Sequence, residues 1–181
     1  FVMREIFAFS QGEGRNVTEG NLVDGYGYTF RVEFLPFGNF ISDGDYSGED
    51  LEREPTPKLS VAATYDWNNN AVRTRGQNGE FIQDSLAIYH GKNLQTFFVD
   101  AILKYQGFSF SGEYVHRQTA DQDPFIRYQN GDSFGQYYTG QALDLTTSYL
   151  FKNNYEIALR YTAVRPDELV ANDEDEFMLA F

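Results

Sequence analysis

Arg31, Lys58, Lys104, Arg117 and Arg160 fall where strand alternation turns them to the same side of a sheet as Glu33, Asp66, Asp100, Glu113, Asp144 and Glu156. Cations and anions interleaved on one face make either a polar wall whose field acts on passing solutes, or cross-strand salt bridges that satisfy one another in a filled interior. Neither arrangement needs a cofactor, and none is expected. No nucleophile stands beside a base: His90 lies in a loop and His116 at a strand end, positions suited to a surface or an aromatic belt rather than to general-base work. The chain is therefore not expected to be an enzyme, with a membrane hydrolase as the alternative.

Two further stretches carry charge in suggestive patterns. In DGDYSGEDLERE, residues Asp43, Asp45, Ser47, Gly48, Glu49 and Glu54 fit positions 1, 3, 5, 6, 7 and 12 of a calcium loop. Pro36 and Pro55 exclude the helices that preset such a loop, and Asp50 stands where an apolar residue is usual, so a solvated acidic turn is the expectation. Arg73 and Arg75, in a long polar stretch, are placed either to constrict a pore or to meet lipid phosphate.

The elements that must position these residues are alternating strands. Leu94 to Arg117 reads as two of them around a Gln106-Gly107 turn, which sets Tyr105 opposite Phe108, Leu103 opposite Phe110, Val99 opposite Tyr114 and Phe97 opposite His116 on an apolar face. The other face then pairs Lys104 with Ser109, Asp100 with Glu113 and Thr96 with Arg117. Phe1 to Ser10 is extended, with Phe7 and Phe9 on one face and Ile6, Ala8 and Ser10 on the other. A polar loop, Gly12 to Gly25, leads to the clearest alternation: Tyr26, Tyr28, Phe30, Val32 and Phe34 against Thr29, Arg31 and Glu33, ended by Pro36. Lys58 to Trp67 alternates with Ser60, Ala62, Thr64 and Asp66 inward, and long loops are expected from Asn68 to Asn93 and from Gln118 to Tyr138.

Thr139 to Val164 forms a second hairpin. A two-residue Asn153-Asn154 turn would oppose Phe151 to Glu156 and mix apolar with charged residues on each face, whereas a three-residue turn, Lys152 to Asn154, pairs Phe151 with Tyr155, Tyr149 with Ile157 and Thr146 with Arg160, leaving Asp144 diagonal to Arg160. The acidic Asp167 to Asp175 precedes a last strand in which Phe177, Leu179 and Phe181 alternate with Met178 and Ala180.

About eight strands follow from these patterns, and their composition says where they sit. The chain has 17 Phe, 13 Tyr and 1 Trp, yet its apolar runs are far shorter than a membrane-spanning helix needs. A net charge of -13 excludes nucleic acid as partner. Zero Cys removes disulfides and thiolate metal sites from consideration, and no leader segment is read at Phe1. Aromatic residues cluster at both ends of the apolar faces: Phe34, Tyr105, Phe108, Phe151 and Tyr155 at the short-turn end, and Tyr26, Tyr65, Trp67, Phe97, Tyr114 and Tyr161 at the long-loop end. Two such belts are expected of an antiparallel transmembrane β-barrel with short turns on the periplasmic side; the long Pro36 to Pro57 connection is then unusual for that side.

GYGYTFRVEFLPFGNF, GDYSGEDLEREPTPKLSVAATYDWNNNAVRTRGQ and LKYQGFSFSGEY, in this order, resemble the phosphate-selective porin O and P family as found in Bacteroidetes-like bacteria. The resemblance implies a bacterial outer-membrane channel for passive diffusion of small polar or ionic solutes, with phosphate or other anions as candidates. It also implies a homotrimer among outer-membrane lipid and lipopolysaccharide, and about sixteen strands per barrel, of which this chain supplies half. A small closed eight-stranded barrel with a structural or adhesive role is the alternative, and a soluble lipid-carrier barrel a more distant one.

Overall fold

The computed structural model describes residues 1–13, 25–167 and 169–181; the predicted Gly12 to Gly25 loop lies largely outside them, as does part of the acidic loop before the last strand. The protein is all-β. Strands β1 (Val2–Gln11), β2 (Tyr26–Leu35), β3 (Lys58–Ala71), β4 (Lys92–Tyr105), β5 (Phe108–Thr119), β8 (Gly140–Leu150), β9 (Glu156–Pro166) and β10 (Glu174–Ala180) form one sheet in that order. Every neighbouring pair is antiparallel. The sheet is open: β1 and β10 are its outer strands, and no ladder joins them among the described residues.

Register follows turn chemistry. Gln106 and Gly107 both take positive φ, 49° and 90°, the geometry that closes a two-residue hairpin without splaying right-twisted strands. Tyr105 therefore opposes Phe108 and Asp100 opposes Glu113. At the second hairpin Asn154 adopts φ 65°, its N–H donates to Phe151 O at 2.9 Å, and Thr146 faces Arg160 as the three-residue turn requires.

Alternation then sorts the two faces. One carries Phe7, Phe30, Tyr65, Phe97, Ile157, Leu159 and Phe177, all exposed. Its aromatic residues form two bands oblique to the ladder. From Tyr65 the register runs through Phe97, His116 and Gln141 to Arg165, but the band passes through Tyr114 to Tyr161, four residues short of Arg165 after four strand-to-strand steps. From Phe34 it runs through Val61, Ala101, Gly112 and Leu145 to Tyr161, whereas the second band reaches Tyr155, six residues away after five steps. At about 3.3 Å per residue and about 4.8 Å between strands, these slopes are about 35° and about 40°. The bands are nearly parallel.

The opposite face is covered at both ends by connections. At one end 36–57, including a 3-10 segment Ile41–Tyr46, lies across the β4–β5 and β8–β9 turns. It buries Leu35, Phe40, Asp45, Asp50 and Glu54, so the expected solvated acidic turn is instead a packed one. At the other end β3 extends past Trp67 to Ala71, and the expected loop from Gln118 to Tyr138 contains the end of β5 and a small ladder of β6 (Phe125–Arg127) with β7 (Ser133–Gln136). Ala71, Ile82, Leu94, Ile126 and Tyr137 make a buried cluster there with Phe134 against it, so the two connections expected as long loops share one apolar core. That core brings residues 71–94 against residues 126–137, with Tyr137 and Ala71 66 residues apart along the chain, which local alternation does not reveal.

Candidate functional site

The middle of the covered face is a charged strip. Ladder pairing strings Arg4, Glu33, Ala62, Asp100, Glu113, Asp144, Thr162 and Glu176 into one line across all eight strands. Directly opposed carboxylates at Asp100, Glu113 and Asp144 repel, so each needs a cation or water.

Guanidinium groups from outside the line supply most of the compensation. Arg31, on β2, reaches over β3 to Asp100, with Nη1 to Oδ2 at 2.5 Å and Nη2 to Oδ1 at 2.9 Å. That two-pronged contact fixes both oxygens. The line passes through Ala62 on β3, whose short side chain leaves the guanidinium room, while Thr64 Oγ1 accepts from Nη1 at 3.1 Å. Arg160 Nε donates to Asp144 Oδ2 at 2.7 Å, and Thr162 Oγ1 donates to the same oxygen at 2.8 Å. Arg4 bridges Glu33 at 3.0 Å and Asp45 of the covering segment. Glu113 is exposed and has no hydrogen-bond or ion-pair partner among the described residues. Around it a cavity of about 380 Å³ is lined by Arg31, Asp100, Asp144 and Arg160.

No protein-family model, curated protein or solved structure matches this chain.

The remaining expected wall residues are distributed unevenly. Asp66 accepts from Thr29 Oγ1 at 2.6 Å, and Arg117 Nε donates to Thr96 Oγ1 at 3.0 Å, both toward the loop end. Lys58 Nζ donates to Phe37 O at 2.9 Å. Glu156 lies beside the β8–β9 turn with Oε1 buried and unpartnered. Lys104 is 1% exposed and sealed beneath the covering segment, so its ammonium faces protein and not open space. Arg4 was missing from the sequence reading, although its parity with Ile6 and Ser10 already places it on this face.

Above the strip, Arg73 stacks on Phe81 and Arg75 on Tyr138, while Arg117 Nη1 donates to Arg75 O at 3.5 Å. His90 is held by Asp84 at 3.0 Å; Asp84 also accepts from the Ile88 and Leu86 amides, contacts that hold its carboxyl below the ordinary value. The keystone of this end is Tyr137. Its hydroxyl donates to Ala71 O at 2.5 Å and accepts from Lys92 N at 2.9 Å, and burial pushes its pKa up to about 12.

A raised phenol pKa stabilises the folded state fully below the unfolded value, about 10, and that contribution is lost as pH rises through the folded one. A tyrosine titrating near pH 12 in the 295 nm absorbance should therefore be lost in Tyr137→Phe. The substitution orphans Ala71 O and Lys92 N, at about 1–3 kcal/mol per buried group, so amide exchange in the two loops should also accelerate. Unchanged exchange would show that the apolar cluster alone holds this end.

Proposed function

We propose that the sheet is part of the wall of a bacterial outer-membrane β-barrel, and that the protein is a porin-like channel for passive diffusion of small polar or ionic solutes. The observation that carries this reading is the contrast between faces. One side of an eight-stranded sheet is uncovered, mostly apolar, with Glu5 a charge in the middle of β1, and crossed by two aromatic bands, while the other carries the charged strip and both covering connections. So wide an exposed apolar face is unfavourable in water and suits lipid. The common slope of the bands, about 35–40°, is that of barrel strands tilted against a membrane whose two interfaces both favour aromatic side chains. The open edges at β1 and β10 fit a barrel larger than these eight strands, in line with the resemblance to phosphate-selective porins.

The strip argues against phosphate as the preferred solute. Glu33, Asp100, Glu113, Asp144 and Glu176 outnumber Arg4, Arg31 and Arg160 along it, and Asp45 adds a further carboxylate at Arg4. A wall of that sign enriches cations and leaves neutral solutes unaffected. Lipid and lipopolysaccharide would meet the apolar face, and trimeric assembly follows from the family resemblance alone.

The protein should fractionate with outer membranes and run faster in detergent gels before boiling than after, since a barrel whose backbone bonds are all internal resists detergent until heated. Recovery in a soluble fraction without detergent would overturn the membrane assignment.

A further inference from the structure

The acidic segment has the spacing of a calcium loop and already contains a cation, which is part of the protein. Lys104 Nζ, projecting from β4, donates to Gly44 O at 2.5 Å, to Ser47 Oγ at 2.9 Å and to Glu49 O at 2.6 Å. Ser47 and Glu49 stand at positions 5 and 7 of that spacing, where a calcium loop offers a side-chain oxygen and a main-chain carbonyl, and these are the atom types the ammonium meets. Asp45 and Glu54, at positions 3 and 12, are buried; they turn to Arg4 and to Ile41 N, and Asp45 Oδ1 and Glu54 Oε2 are left without partners. Glu54 lines the same cavity of about 250 Å³ as Lys104. Among the described residues, no group of three or more acidic or histidine side chains is arranged for a metal ion.

We infer that residues 41–54 form a seat for a primary ammonium, filled by Lys104, and that this internal cation replaces a free divalent one in locking the segment to the sheet. Three N–H donors match three oxygens, which a spherical ion would not require. What the seat locks is extensive. Asp50 Oδ2 accepts from Gly107 N at 2.7 Å, Glu54 O accepts from Gln106 N at 3.0 Å, and Arg53 caps Leu150 O at 2.6 Å and also Phe151 O. With Arg4 held by Asp45, the strap ties β1 to both hairpin turns, and because its cation belongs to β4 the closure is independent of dissolved calcium.

Amide hydrogen exchange over 41–54, followed in detergent-solubilised protein that retains its folded gel migration, tests this. Neither millimolar calcium nor a chelator should change exchange in the wild-type protein. Lys104→Met, which keeps the length and removes the charge, should speed exchange on the order of a hundredfold, as expected when two carbonyls and a hydroxyl lose their donor and the buried carboxylates of Asp50 and Glu54 lose their neighbouring cation. In Lys104→Ala, n-propylammonium should restore slow exchange while tetramethylammonium, which has no N–H donor, should not. Three results would each overturn the inference: slowing of wild-type exchange by calcium, full protection in Lys104→Met, or equal rescue by the two ammonium ions. Should Lys104→Ala fail to fold, the calcium and Lys104→Met arms still decide.

Discussion

Replacing Glu113 with Gln should shift reconstituted channels toward anions, and adding Asp100→Asn should roughly multiply that shift. Glu113 is an uncompensated carboxylate at the centre of the strip, flanked across the ladder by Asp100 and Asp144, which are engaged by Arg31 and Arg160. A unit charge about 6 Å from a permeating ion in water is worth about 0.7 kcal/mol, or about threefold in relative permeability. Asp100→Asn removes no free charge; it releases Arg31 from its two-pronged contact and leaves a guanidinium at the centre of the wall, so the double variant should change the cation-to-anion ratio by about tenfold. Arg31→Gln should act in the opposite direction. The reversal potential in a salt gradient at low ionic strength reads all three, since screening there is weakest. Unchanged values would leave the strip as wall structure with no part in permeation.

How far the sequence led depends on how local each determinant is. The β4–β5 register was legible because Gln106 and Gly107 sit between two uninterrupted alternations, and a slip of one residue would put Lys104 and Asp100 on the apolar face. At β8–β9 the apparent conflict between Phe151 and Glu156 excluded the shorter turn, and Arg160 reaches Asp144 as that choice implies. The clash between Asp100 and Glu113 was also readable, but its resolution was not. Arg31 is 69 residues from Asp100, and the contact depends on Ala62, whose small size only matters once β3 lies between them. The acidic segment shows the same limit more strongly. Its composition reads as solvated, and only the arrival of Lys104, Arg4 and the Gly107 amide from distant strands makes burial of Asp45, Asp50 and Glu54 affordable.

One of those distant contacts is made by the Gly107 amide, and a single methyl group at that residue should be costly. Gly107 has φ 90°, a region that L side chains rarely adopt, and a Cβ there would lie 2.5 Å from Leu150 O and 3.0 Å from Arg53 Nη1. The carbonyl is backbone and cannot swing away. Leu150 N donates to Gly107 O at 2.8 Å and Gly107 N to Asp50 Oδ2 at 2.7 Å, so relieving the overlap strains the β8 junction and the strap together. Two glycines separate the contributions. Gly131 has a similar φ of 93° with open space around it, so Gly131→Ala should show the backbone cost alone, about 1–2 kcal/mol; Gly48 has open space and no such φ, and Gly48→Ala should be close to neutral. Gly107→Ala should exceed Gly131→Ala by a further 1–3 kcal/mol or so, the usual cost of forcing an extra methyl group into packed surroundings. Urea unfolding of the detergent-solubilised protein, read from the loss of its folded gel migration, ranks the three. Equal midpoints for Gly107→Ala and Gly131→Ala would mean that the strap and the β4–β5 turn part freely, and that the contacts at Gly107 contribute nothing beyond the turn itself.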